Sequence, residues 1–135
     1  MFTGILSSCF KGWFVGRGSN CIYNSERVEV AVKRYALGDS EPRHYHREAT
    51  EISVVVSGGV VMNGTLYEKD DVIVMDPMES TDFYVVEPDT VMTVVKLPSN
   101  LNDKFAGSGP NEDELFVNNR DSWPLANALL NRRKR

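Results

Sequence analysis

Imidazoles and thiols are scarce in this chain: two histidines, His44 and His46, and two cysteines, Cys9 and Cys21, in 135 residues. Two cysteines cannot make the framework that holds together small disulfide-rich domains, so free thiols are expected. No apolar run approaches the roughly 20 residues of a membrane span, and no membrane partner is expected. The opening Met1 to Val15 lacks a basic stretch ahead of its apolar residues and is interrupted by Gly4 and Gly12, which argues against a secretory leader and for a cytoplasmic protein. A cationic body is missing too. The net charge is −4, yet Arg132, Arg133, Lys134 and Arg135 close the chain, which leaves residues 1–131 at −8. Such a body repels nucleic acid. Phosphate-binding glycine loops, cysteine zinc clusters and a Ser-His-Asp pattern are also absent.

What is present is a succession of short runs rich in Val, Ile, Thr and Tyr, separated by Gly58-Gly59, Asn63-Gly64, Asp70-Asp71, Asp76-Pro77 and Pro88-Asp89. Closely spaced turns between short strands indicate an all-β antiparallel sandwich or barrel. Strands are expected near 12–15, 27–37, 43–46, 50–57, 59–63, 65–68, 72–75, 80–87 and 90–97. Asn63-Gly64 is the clearest hairpin turn, because a two-residue type I′ turn needs positive φ at both positions. Val28, Val30 and Val32 alternate with Glu29 and Lys33, the pattern of a half-exposed strand. Residues 51–57 differ: Ile52, Val54 and Val56 make the face opposite Glu51, Ser53, Val55 and Ser57 apolar as well. Something should cover that outer face, and a symmetric homodimer is the simplest solution. At 135 residues one domain is expected. It divides into 1–100, a β-structure that includes the N-terminal strand, and 101–135, a polar loop or arm followed by a short helix. In that helix Ser122 serves as cap, Pro124 lies in the first turn, and Leu125, Leu129 and Leu130 form the apolar stripe.

The two histidines sit in one ordered constellation. Gly38 is followed after five residues by His44, then after one by His46, after four by Glu51, and after six by Gly58. Residues two apart on a strand face the same side, so the imidazoles point together, and a carboxylate beyond a turn can join them. At every position this spacing resembles the first signature of the cupin superfamily, over a stretch of about residues 27–97. The resemblance implies a cupin-type double-stranded β-helix, a jelly-roll barrel, with His44, His46 and Glu51 as metal ligands. The second signature of the superfamily, laid on Asp71, Pro77, Glu79, Asp82 and Val86, keeps only the proline. Its histidine, the usual fourth ligand, would be Asp82 here.

Two imidazoles and a carboxylate with open positions suit iron, with manganese, zinc and nickel as further divalent candidates. A carboxylate at position 82 either coordinates or, being shorter than imidazole, stops short and leaves room for water or ligand. The metal-free alternative is a polar pocket in which His44 or His46 serves as acid or base. Counting in steps of two places Ser80 and Tyr84 beside Asp82, and Ser53 and Val55 beside Glu51, toward the interior, which makes Ser53 and Tyr84 pocket residues. Lys96 is either a solvated edge residue or a cavity cation. The resemblance implies a small polar ligand such as a sugar or sugar derivative. The alternatives are a sugar-nucleotide isomerase working without metal, and a ligand-binding or sensory module without turnover.

Overall fold

The computed structural model describes residues 1–109, and the helix expected near the C-terminus lies outside them. Eleven strands are present among these residues: β1 (Trp13–Gly16), β2 (Tyr23–Asn24), β3 (Glu29–Tyr35), β4 (Ser40–Tyr45), β5 (Thr50–Ser57), β6 (Gly59–Met62), β7 (Thr65–Glu68), β8 (Val72–Met75), β9 (Ser80–Val85), β10 (Thr90–Leu97) and β11 (Phe105–Ala106). They form a six-stranded sheet in the order β2-β1-β3-β10-β5-β8 and a five-stranded sheet in the order β11-β4-β9-β6-β7. Pairing is antiparallel except between β1 and β2. All nine expected strands are found. The two-residue β2 and β11 were not foreseen, since strands this short carry no periodicity. Because β11 pairs with β4, the barrel extends past residue 100 to at least Ala106.

The β6–β7 hairpin turns at Asn63 (φ 50°) and Gly64 (φ 77°), as a type I′ turn requires. Gly58, the last residue of the spaced constellation, has φ 80°, and a β-carbon there would collide with Thr90. Only glycine satisfies both constraints. Neither Cys9 nor Cys21 is in a disulfide among the described residues. No helix among the described residues is long and apolar enough to cross a membrane.

Between the sheets lies a core of Trp13, Ala31, Val55, Val60, Met62, Ile73, Phe83, Val85, Met92 and Val94. Side chains from the two inner faces interdigitate, as in other packed sheet pairs. The inner face of the larger sheet runs in rows across the strands. Ala31, Val94 and Ser53 are neighbours in one row, and Glu29, Lys96 and Glu51 in the next. The second row therefore alternates in charge, an arrangement that favours cross-strand pairs. On β3 the alternation runs opposite to its polarity. Glu29, with no exposed surface, and Lys33, 7% exposed, face inward, while Val30 and Val32 lie on the outer face. The strand is half-exposed as expected, but its charged face is the interior one.

Candidate functional site

β4 carries the first part of the site, and a bulge decides what it presents. Glu41 pairs with Phe83 and His44 with Thr81, so three steps on β4 match two on β9. The extra residue beside Pro42 turns Glu41 and His44 to the same interior side. Without the bulge, residues three apart would face opposite ways. A cavity of about 30 Å3 follows, lined by Lys33, Tyr35, Glu41, His44, Glu51 and Ser53 together with apolar side chains of the core.

Both imidazoles are buried. His44 Nδ1 lies 2.8 Å from the carbonyl oxygen of Pro42, and His46 Nδ1 bonds the carbonyl oxygen of Asp103. A carbonyl only accepts, so each Nδ1 carries the proton and each Nε2 the lone pair. Burial, reinforced by the nearby Lys104, holds His44 well below the usual histidine range. His46 is lowered to about 3 by burial and by Lys96 and Lys104. Both rings are thus neutral at pH 7, with centroids 5.5 Å apart and planes at 79°. His46 Nε2 is buried and has no hydrogen-bond partner among the described residues.

Glu51 follows on β5, and the turn between it and His46 is fastened by Asp103. The Asp103 carboxylate accepts from the backbone N–H of Arg47 (2.7 Å), Glu48 (3.0 Å) and Ala49 (2.8 Å). One buried side chain from beyond β10 thereby sets the path of the segment joining His46 to Glu51. Burial raises the Glu51 carboxyl above its ordinary range, with Lys96 opposing and Glu41 adding to the rise. Lys104, also buried, is lowered to about 7 by burial. Lys96 stands 3.6 Å from Glu29, with its ammonium 5.1 Å from the centre of the Trp13 ring. It is thus largely buried rather than a solvated edge residue, and it does not line the interior cavity.

Asp82 requires a correction. On β9 the buried residues are Thr81, Phe83 and Val85, so Asp82 belongs to the other face. Its carboxylate accepts from Asn63 N–H at 2.8 Å and stands 3.6 Å from Arg43. Ser80 and Tyr84 share that face, and neither lines the cavity. The frame laid from the second signature mistook the parity of β9, which only its register against β4 reveals. Thr81, opposite His44, occupies the interior position, and its hydroxyl donates to the Asp82 carbonyl at 2.6 Å. Ser53 lies inside as expected. Sequence reasoning missed Glu41, Lys33, Lys104 and Asp103. Pro42 within a strand was the available sign of the bulge that turns Glu41 inward, whereas Asp103 and Lys104 carry no local signal.

Comparison with solved structures places this architecture. An uncharacterized conserved protein from Klebsiella pneumoniae with a double-stranded β-helix domain superposes with a TM-score of 0.57 at 19% identity, covering 62% of this chain and 73% of that one. The chain has the double-stranded β-helix fold of the cupins. KdgF from Halomonas matches with a TM-score of 0.51 at 19% identity over 55% of this chain and 72% of its own. The DMSP lyase DddQ from Ruegeria pomeroyi matches with 0.58 at 15% identity over 70% of this chain, which spans about half (49%) of the lyase. No family model and no curated protein matches the sequence. At these identities the likeness concerns the fold, and the fold alone does not set a reaction.

The cupin resemblance implies a divalent ion, and the donors suit one chemically. His44 and His46 are neutral, each with Nδ1 tied to a carbonyl and Nε2 left as the lone-pair nitrogen, the arrangement by which an outer hydrogen bond orients a ligating imidazole. Glu51 would supply the carboxylate. Among the described residues, however, no three His, Cys, Asp or Glu side chains are gathered about one point.

Proposed function

We propose that the barrel interior is the binding site of a small polar metabolite of the sugar or sugar-derivative class, with His44, His46 and Glu51 holding a divalent ion. The observation that carries this reading is the buried His46 Nε2 with its unused electron pair. An unsatisfied acceptor at this depth costs about 1–3 kcal/mol, a cost that a ligated ion or a donor group removes. When bound, the ion acts as a Lewis acid on a ligand oxygen. The protein's own residues orient and shield. Pro42 and Asp103 hold the two imidazoles in one tautomer, Ser53 and Tyr35 add hydroxyls to the wall, and the apolar core below excludes water.

A second reading is favoured by the ungathered donors: a metal-free pocket in which a neutral imidazole takes a proton from the ligand. Elemental analysis of freshly purified protein and of His46→Ala separates the two. Near one ion per chain, lost in the variant, supports the first. Protein without metal that nonetheless gains melting temperature from a polar ligand supports the second. Neither metal nor ligand response, with wild type folded, sinks both.

A further inference from the structure

Outside the barrel centre, a cleft of about 500 Å3 opens between the N-terminal turns and the ends of β3 and β4. Its apolar side includes Leu6 and Val32, and its polar side includes Lys11, Lys33, Tyr35 and Glu41. Lys33, Tyr35 and Glu41 also line the small interior cavity beside His44 and Glu51. The cleft and the barrel interior therefore share one wall, and a ligand lying in the cleft reaches the side chains that frame the inner site.

The N-terminal turn is fixed in place over this opening. Gly12 has φ 82°, and a β-carbon there would collide with the Val32 carbonyl, so the chain lies directly against β3. Lys11 holds φ 51°, a left-handed conformation that is unfavourable for a lysine. This arrangement makes Lys11 part of the cleft wall.

Glu41 Oε1 is buried without a hydrogen-bond partner among the described residues. A group brought into contact with it must donate. An anion fails there, because it would place its charge against an unpaired carboxylate oxygen. The cleft lining carries both signs of charge, Lys11, Lys33 and Arg34 against Asp39 and Glu41, so a ligand charge of either sign meets like charges. A neutral hydroxyl satisfies both kinds of neighbour, since it donates to the carboxylate and accepts from an ammonium. Leu6 supplies an apolar contact against which the C–H face of a polyol can lie.

We propose that this cleft is a binding subsite for an uncharged, hydroxyl-rich small molecule, with Glu41 as the hydroxyl acceptor and Lys33 as the donor. The proposal rests on the barrel interior being a ligand site, and it adds the entrance and the charge class of the ligand. Glu41 and Lys33 take no part in the histidine constellation of the sequence.

The test is saturation-transfer NMR on the full chain with D-glucose and D-ribose as neutral probes, and glucuronate and glucosamine as charged counterparts. At least one neutral probe should show transfer, weakened about tenfold or more in Glu41→Leu, the scale expected when a hydrogen bond to a charged group is removed. Lys33→Met should weaken it as well. The proposal is overturned if neither neutral sugar binds and water alone fills the cleft, if only charged probes bind, or if Glu41→Leu binds as wild type does. Far-UV circular dichroism checks that each variant is folded. Should Glu41→Leu fail to fold, Lys11→Ala, a substitution at an exposed position of the mouth, reads binding in the same cleft. A sugar signal that His46→Ala abolishes but Glu41→Leu and Lys11→Ala leave intact defeats the cleft while sparing the barrel site.

Discussion

Removing the Asp103 side chain should damage stability and site together. In wild type its carboxylate accepts three backbone N–H groups from Arg47, Glu48 and Ala49 at 2.7–3.0 Å. Only 4% of the residue is exposed, so water is a poor substitute. A hydrogen bond to a charged group contributes about 1.5–3 kcal/mol, and bonds sharing one acceptor are not additive. Asp103→Ala is therefore expected to cost about 4 kcal/mol. Asp103→Asn keeps one oxygen acceptor but turns an NH2 group toward N–H donors, and should cost roughly half of that. Urea unfolding reads both: with m near 2 kcal/mol/M, the midpoint falls by about 2 M for Ala and 1 M for Asn, at constant m. Because the Arg47–Ala49 turn links His46 to Glu51, metal or ligand affinity should fall in the folded fraction of each variant. An Ala variant within about 1 kcal/mol of wild type, or an Asn variant as unstable as Ala, would refute the assignment of Asp103 as the clamp of this turn.

Further outcomes follow from the same geometry. His44 and His46 are held neutral in the fold and protonate near pH 6.5 when unfolded, so the unfolded chain binds more protons below that pH. Metal-free protein should lose about 1.3 kcal/mol per histidine between pH 7 and pH 5.5 by urea titration, and His46→Gln should flatten the slope. The raised Glu51 carboxyl acts in the opposite direction, since the folded state takes up that proton first as pH falls. Asp82→Asn should leave metal content and ligand response unchanged and cost under about 1 kcal/mol, because the side chain is partly exposed and pairs with Arg43. Loss of bound ion in that variant would restore Asp82 to the site. The homodimer is tested on the outer face of the larger sheet, where Val56, Val72 and Val74 are 45%, 59% and 53% exposed. An uncharged valine patch can meet its own copy without like-charge repulsion. Light scattering should give twice 15.2 kDa for wild type and a monomer for Val72→Lys with Val74→Lys; a monomeric wild type removes the dimer.

Local physics in the sequence was enough for most of the fold. Turn chemistry at Asn63-Gly64 and Gly58, and runs of β-branched residues between turns, located nine strands, because positive φ and side-chain alternation depend on a few neighbouring residues. The spacing from Gly38 to Gly58 picked out His44, His46 and Glu51; the fold buries both imidazoles and puts His44 and Glu51 on the interior cavity, without gathering the three about one point among the described residues. What alternation alone left unassigned was which face of a strand is inside. On β3 the valines lie outside and the charges inside, and on β9 the interior parity belongs to Thr81 rather than Asp82. Both follow from register against neighbouring strands, a long-range property that shifts every side chain when it slips by one residue. Glu41 enters the site only through the bulge beside Pro42, and Asp103 reaches the His46–Glu51 turn from more than 50 residues away in sequence. The candidate donors were thus legible in the order of residues along the chain. Their surroundings, a polar interior with one carboxylate oxygen and one imidazole nitrogen unpaired, were decided by the packing of two sheets.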